Sequence, residues 1–144
     1  MPPGTGDVQL TMAQSAPLAG AIIVSTPQDL ALIDARRGIA MFDKVKIPVL
    51  GLIENMSYFI CPHCQGRSDI FSHGGARHEA ERRGVAFLGE VPLDIAIRET
   101  SDAGRPIAAA APDGPHAQAF AAIARAVIAK LDAPQRAAPK IVIG

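Results

Sequence analysis

The chain has 144 residues, of which 49% are hydrophobic and 19% charged, an ordinary composition for a globular domain with its own core. Its 14 basic residues balance 14 acidic ones, which argues against a nucleic-acid-binding protein, since that class usually carries a basic excess. No apolar run is long enough to cross a bilayer, and the first residues lack the charged and apolar regions of a secretory signal. We therefore expect a cytoplasmic protein without a nucleic-acid or membrane partner.

The first half of the chain predicts a strand, a helix and a second strand. Residues 21–24 are an apolar run typical of a parallel strand covered on both faces. Thr26 suits the N-cap of the following helix, and Pro27 suits its first position. The helix has one apolar stripe, made of Leu32, Ala35, Ile39 and Phe42. Residues 49–53 form the second apolar strand, so we expect a right-handed βαβ unit.

The second half predicts an irregular segment, one more strand and further helices. Residues 56–74 have no regular periodicity, and a third short strand is expected at 86–89. Helices are expected at 75–84, 95–102 and 115–131. A typical sheet has about five or six strands, so three parallel strands indicate part of a larger α/β sheet. The domain is expected to occupy residues 1–131, followed by a loose Ala/Pro-rich tail over 132–144.

The chain has two cysteines, Cys61 and Cys64, in a Cys-x-x-Cys pair. In a reducing compartment such a pair is more typical of a metal or redox site than of a structural disulfide. A [4Fe-4S] cluster commonly takes four thiolates, which two chains related by a two-fold axis would supply. Zinc is an alternative, bound either with His73 and His78 of the same chain or by four cysteines across a dimer. A thioredoxin-like redox pair is disfavoured, because no helical pattern follows Cys64.

Two further features point to a ligand, and each also has an ordinary structural explanation. Asn55 follows the second strand, where open α/β sheets bind ligands, and its amide can pair with an adenine edge. From the residues alone, a turn-forming Asn is the simpler explanation. The Gly-rich run from Pro2 to Asp7 has backbone amides that can face an anion, although such a run is usually a turn. Arg36 and Arg37 are expected to be solvated.

Five consecutive segments resemble signatures of the Mrp/ApbC family of iron–sulfur carrier ATPases, in the order of that family. They are PPGTGD, TPQDLALIDARRGIAMF, PVLGLIENMSYFICPHC, IFSHGGA and FLGEVPLDIAIRETSDAGRPI. The resemblance extends from Met1 to about Leu131. It implies the doubly wound, mostly parallel sheet of a P-loop NTPase with a deviant Walker A loop, of the SIMIBI type. It also implies a homodimer that binds ATP and Mg²⁺ and holds a [4Fe-4S] cluster between its subunits for transfer to apo iron–sulfur proteins.

The same resemblance implies roles for individual residues. Cys61 and Cys64 correspond to the ligands of the cluster. Asn55 corresponds to the residue that binds the nucleotide base, and Pro92 lines the same pocket. Gly4 and Asp7 belong to a switch loop that senses the γ-phosphate of ATP.

The sequence departs from the family in one respect, because none of its four lysines follows a glycine and the Gly-Lys phosphate loop is missing. Met1 falls on the second position of the family's Asp-x-Pro-Pro-Gly-Thr-Gly-Asp segment, so a truncated gene or a misplaced start is expected. Phosphoryl transfer depends on that loop, its Lys and Mg²⁺, and we expect no ATP hydrolysis by these residues alone. Two alternative functions stay open: a non-catalytic, zinc-stapled dimerisation module and a non-functional fragment.

Overall fold

The computed structural model describes residues 11, 12 and 15–132 of the chain. From residue 21 onward these residues form four strands and five helices. The strands are β1 (Ala21–Ser25), β2 (Val49–Ile60), β3 (Arg67–Ser68) and β4 (Phe87–Leu93). The helices are α1 (Asp29–Lys44), α2 (Gly75–Arg83), α3 (Ile95–Asp102), α4 (Ile107–Ala110) and α5 (Pro115–Asp132). The expected N-terminal loop and nearly all of the expected tail lie outside the described residues.

The central strand of the sheet is β2. On one side β1 pairs with it in parallel, with Ile23 opposite Leu52. On the other side β4 pairs with it in parallel, with Glu90 opposite Glu54. The short β3 turns back and pairs antiparallel with the last two residues of β2. The predicted βαβ unit and the three parallel strands are confirmed, while the antiparallel β3 is an addition that the sequence pattern does not predict.

Helices pack on both faces of the sheet. The predicted apolar stripe of α1 is entirely buried and lies against Leu52 of β2 and Ile23 of β1, together with small residues of α2. On the other face, Ile123 of α5 packs with Leu88 and Val91 of β4. Burial of each large apolar side chain contributes roughly 1.5–3 kcal/mol, so these two clusters hold the sheet that positions the site. None of the described helices has the length and apolarity needed to cross a membrane.

Three expected boundaries are wrong. The third strand, expected at 86–89, runs from Phe87 to Leu93. Helix α1 begins at Asp29 with Gln28 at its N-cap position, and the Thr26 hydroxyl donates to the Gln28 side chain instead of capping the helix. Strand β2 does not end at residue 53 but continues to Ile60. The reason is Met56, whose φ of 54° is left-handed. At such a bulge the side chains change face, so the alternation on which a strand prediction depends is interrupted.

A buried carboxylate, Glu79 of α2, joins two helices. Its side chain is only 2% exposed and pairs with Arg36 of α1 at 2.9 Å, with Arg82 at 2.9 Å and with Arg83 at 2.7 Å. Burial alone would raise the pKa of Glu79, but hydrogen bonds from the three guanidinium groups outweigh it and lower the pKa to about 2. The expectation that Arg36 is solvated is therefore wrong, whereas Arg37 is 77% exposed.

One face of β1 is uncovered by the part of the chain that the structure describes. Ile22 and Val24 alternate with the buried Ile23 and Ser25 and are 38% and 58% exposed. Strands of a parallel sheet are normally covered on both faces. The described residues therefore supply only part of the covering that this sheet requires.

Candidate functional site

The two cysteines lie at the tip of a hairpin formed by residues 58–73, which we call the cysteine arm. The arm leaves through the last residues of β2 and returns through β3. Two backbone hydrogen bonds of 2.9 Å close its turn: the Cys61 N–H donates to the Gly66 carbonyl, and the Gln65 N–H donates to the Cys61 carbonyl. This turn leaves Cys64 exposed and Cys61 half-buried.

The turn favours the thiolate form of Cys61. Backbone N–H groups of Cys64 and His63 and the thiol of Cys64 donate to its sulfur, and these contacts lower the pKa of Cys61 from its ordinary value. Thiolates are the ligands of iron–sulfur clusters and of zinc, and hydrogen bonds to them tune a bound metal. Gly66 keeps space beside the second sulfur, since a Cβ at this position would lie 3.2 Å from Cys64 Sγ.

The arrangement contradicts one of the expected zinc sites. That in-chain set consisted of Cys61, Cys64, His73 and His78. Within the described residues, a group of three or more potential metal ligands with atoms inside 4.8 Å is formed by Glu54, His73 and Glu90, and neither cysteine belongs to it. The physical reason is that His73 ends the arm at its base, while the cysteines occupy its tip. A four-cysteine zinc site between two chains stays an alternative.

Glu54 of β2 fastens the base of the arm. Its carboxylate is fully buried and accepts hydrogen bonds from the backbone N–H groups of Gly74 and Ala76, both at 2.8 Å. These amides lie at the N-terminus of α2, where N–H groups lack partners within the helix and a negative charge is favourable. Gly74 occupies the N-cap position with a φ of 79° and offers no side chain. Glu54 therefore supplies the cap from a distant strand.

Polar contacts continue from Glu54 to His73, the last residue of the arm. Ser57 Oγ lies 2.7 Å from Glu54 Oε1 and 2.9 Å from Glu90 Oε2. His73 Nε2 lies 2.9 Å from the same oxygen of Glu90. Burial alone would raise the pKa of Glu90, but hydrogen bonds from Ser57 and His73 hold it below its usual range. We call this set the clamp, and its members are Glu54, Ser57, Glu90 and His73.

The clamp has the composition of a metal site, yet its contacts are satisfied without an ion. Both oxygens of Glu54 already accept hydrogen bonds from backbone amides. His73 and Glu90 pair directly with each other. Because each side chain already has a protein partner, we interpret the clamp as a structural element at the base of the arm.

Met56 makes the clamp possible. In a regular strand, side chains three positions apart point to opposite faces of the sheet, so Glu54 and Ser57 would not meet. The left-handed φ of 54° at Met56 accompanies a shift in the pairing register between β2 and β4, and it places Ser57 on the face of Glu54. A non-glycine residue in this conformation costs on the order of 1 kcal/mol. The clamp contacts offset that strain.

Asn55 lies within β2, whereas the sequence predicts it after the strand, and Pro92 lies within β4. Asn55 lies opposite Val91 in the pairing register, so Pro92 adjoins that pair and is itself buried. The Asn55 side-chain oxygen accepts from the Met56 N–H at 3.0 Å, which leaves its amide N–H groups without a partner among the residues described. The other two expected cofactor residues, Gly4 and Asp7, lie outside the described residues.

Sequence reasoning missed Glu54, Ser57 and Glu90. One signal was present, because Glu54 comes two positions after the core residue Leu52 in an apolar strand. Side chains two positions apart in a strand point to the same face, so a charged residue at this position faces the core and requires buried partners. The partners come from a segment 20 residues away in the chain, and no local pattern connects the two.

The parallel sheet with helices on both faces defines an α/β fold of the P-loop NTPase type, of which this chain is a part. A nucleotide-binding protein from Archaeoglobus fulgidus, solved in complex with ADP, is 44% identical, with a TM-score of 0.63 over 73% of this chain and 43% of that chain. The cell division ATPase MinD of Pyrococcus furiosus is 24% identical, with a TM-score of 0.61 over 77% of this chain and 43% of that chain. At that identity, MinD shows a likeness of fold alone.

Residues 1–128 match the family described as ParA: NUBPL iron-transfer P-loop NTPase, and the chain belongs to this family. The iron-sulfur cluster transfer protein NUBPL of Dictyostelium discoideum is 54% identical over 132 residues, covering 92% of this chain and 41% of that protein. The iron-sulfur cluster carrier protein of Escherichia coli K12 is 49% identical over 131 residues, covering 91% of this chain and 36% of that protein. The expected resemblance to iron–sulfur carriers is confirmed, and the chain spans about two fifths of the length of these relatives.

Proposed function

We propose that this chain carries a [4Fe-4S] cluster on Cys61 and Cys64 for transfer to apo iron–sulfur proteins. The observation that carries the proposal is the cysteine pair at the tip of the arm, where Cys64 is exposed and hydrogen bonds to the Cys61 sulfur lower the pKa of Cys61. The names of the relatives, an iron–sulfur cluster transfer protein and an iron–sulfur cluster carrier protein, support it. A tip that projects from the sheet suits a carrier, because the cargo reaches an acceptor without crossing a protein core.

A homodimer completes the ligand set in this proposal. One chain offers two thiolates, and a [4Fe-4S] cluster commonly takes four. Two arms that meet tip to tip supply the missing pair. The exposure of Cys64 supports this arrangement, since a sulfur enclosed by its own chain is unable to share a cluster with a partner.

The nucleotide site is the second part of the proposal. Asn55 and Pro92 line the base pocket, and the unpaired amide N–H groups of Asn55 suit the acceptor atoms of an adenine edge. The solved relative from Archaeoglobus fulgidus contains ADP. In the whole protein, ATP with Mg²⁺ accompanies cluster transfer, and Gly4 and Asp7 form the switch loop. We place this activity in the cytoplasm, and we expect no ATP hydrolysis from these residues without a phosphate loop.

Anaerobic reconstitution with iron and sulfide tests the cluster assignment. We expect the broad visible absorbance of a cluster and four irons for every two chains. Cys61→Ala should abolish that absorbance, whereas His63→Ala, a change in the same turn that keeps both sulfurs, should retain it. Full absorbance in Cys61→Ala would overturn the assignment. Zinc in the purified protein, without uptake of a cluster, would favour the zinc-stapled dimer instead.

Saturation-transfer NMR with adenosine tests the base pocket. We expect adenosine to receive magnetisation from the chain and Asn55→Ala to reduce the transfer severalfold, because two hydrogen-bond donors are lost. Gln118→Ala, which removes an exposed amide on α5, is the matched control and should change nothing. Equal signals from Asn55→Ala and the unaltered chain would exclude Asn55 from the pocket.

A further inference from the structure

We infer that the clamp is a positioning device, which holds the cysteine arm in the conformation that retains the cluster. This inference rests on the proposed function, since the cargo of the arm is the cluster proposed above. The clamp residues supply no ligand to the cluster. They act through the arm, whose two ends they hold.

The arm has little structure of its own to keep it in place. Its ladder consists of two residue pairs, Phe59 with Ser68 and Ile60 with Arg67, and Phe59 also pairs with Leu93 of β4. Besides the ladder, Arg67 stacks over the Tyr58 ring at 4.6 Å and pairs with Asp69 at 2.9 Å. A two-stranded hairpin is marginally stable in water by itself. The conformation of the tip therefore depends on how the base is held.

The clamp contacts both ends of the arm. Ser57 immediately precedes the arm, and its hydroxyl is buried between two carboxylates. His73 is the last residue of the arm and pairs with Glu90 of β4. Hydrogen bonds to ionised groups are roughly twice as strong as neutral ones. Both ends of the arm thus contact carboxylates of β2 and β4, which accept the stronger kind of bond.

The segment that follows the arm is fixed just as tightly. Glu54 binds the backbone of Gly74 and Ala76. Between them, Gly75 packs so closely on the turn before α1 that a Cβ would lie 2.5 Å from the Pro27 carbonyl oxygen. The backbone that follows the arm is therefore held in one place, and this fixes the end of the arm at His73.

His73 is the residue through which the clamp is best tested. Glu54 and Ser57 are fully buried, so their replacement risks the fold as a whole. The His73 side chain is 32% exposed, and its loss leaves the inner contacts intact. His73→Gln keeps a nitrogen donor near the position of Nε2, whereas His73→Ala removes it.

Limited trypsin digestion of the chain without a cluster gives the first readout. Arg67 is the only lysine or arginine between Ser57 and His73, so cleavage after it reports on opening of the arm. We expect about tenfold faster cleavage there in His73→Ala and a rate within about twofold of the unaltered chain in His73→Gln. Mass spectrometry identifies the cut. Equal rates in His73→Ala and the unaltered chain would overturn the inference.

Loss of the reconstituted cluster to a ferrous chelator gives the second readout. We expect about tenfold faster loss from His73→Ala, and rescue by His73→Gln. Glu79→Gln weakens the helices without touching the arm, so it controls for general loosening at a temperature where circular dichroism shows every variant folded. The same acceleration in Glu79→Gln would overturn the inference. If the unaltered chain takes up no cluster, the proposed function fails, and the trypsin rates alone decide whether the clamp holds the arm.

Discussion

Two buried glutamates of this chain are satisfied in different ways. Glu79 is surrounded by guanidinium groups from α1 and α2. Glu54 accepts from the backbone of the segment after the arm, and its Oε1 lies 2.7 Å from the Ser57 hydroxyl oxygen. Long arginine side chains join helices whose positions are set by the core, whereas backbone amides fix the path of the chain itself. The comparison separates a carboxylate that holds the scaffold from one that holds the arm.

The largest effect should follow from Glu79→Gln. The change leaves three arginines without their common anion, and we expect the free energy of unfolding to fall by about 3 kcal/mol. Urea denaturation measures it, with Glu81→Gln, an exposed neighbour on the same helix, as the control. A loss no larger than that of Glu81→Gln would mean that the guanidinium groups do not hold the scaffold.

The stability of the chain should depend on pH because of Glu79. Its pKa is lowered from 4.5 to about 2. A carboxylate with a lowered pKa in the folded state stabilises fully above its unfolded pKa, and that contribution disappears as pH falls through the folded pKa. We therefore expect the stability of the unaltered chain to fall as pH is lowered from 4.5 toward about 2, and Glu79→Gln to show a shallower fall. Parallel pH curves for the two chains would contradict this assignment.

Glu54→Gln should have a smaller global effect and a more local one. Glutamine keeps one acceptor oxygen but turns an N–H donor toward backbone amides, so we expect a loss of about 1–2 kcal/mol. Hydrogen exchange should accelerate most at the Gly74 and Ala76 amides, because these lose their acceptor. In Glu79→Gln, by contrast, exchange should rise throughout the core. Uniform acceleration in Glu54→Gln would remove the distinction between the two glutamates.

The smallest effect should come from Gly66→Ala at the tip. A Cβ would lie 3.2 Å from Cys64 Sγ, a contact tight enough to displace the sulfur by a few tenths of an ångström. We expect two- to threefold faster loss of the cluster to a chelator, roughly 0.5 kcal/mol, with stability unchanged. Gly38→Ala in α1, where the Cβ has only an ordinary contact at 3.6 Å, should leave cluster loss unaltered. Equal rates of cluster loss from Gly66→Ala and Gly38→Ala would show that a Cβ beside Cys64 Sγ does not disturb the tip.

The scaffold was more predictable from sequence than the base of the arm. The stripe of α1 follows the helix period, and the continuous apolar run at β1 predicts a parallel strand; both elements are confirmed. For β2, the sequence predicts residues 49–53, which form only the first part of the strand Val49–Ile60. Beyond that part, the left-handed conformation of Met56 interrupts the alternation of faces, so the second half of β2 shows no strand period in the sequence.

The candidate site divides in the same way. Cys61 and Cys64 lie three positions apart, so the sequence alone predicts that both sulfurs lie on one turn. The clamp unites residues of two strands and a distant segment, so it exists only after the chain has folded. Arg36 illustrates the same limit, because its partner Glu79 lies 43 positions away.

Mössbauer spectroscopy of the chain reconstituted with isotopically enriched iron tests whether the two cysteines bind a cluster. We expect the signature of one [4Fe-4S] cluster for every two chains, lost in Cys61→Ala and in Cys64→Ala. Only unbound iron in the unaltered chain, or an unchanged cluster spectrum in either cysteine variant, would contradict that expectation.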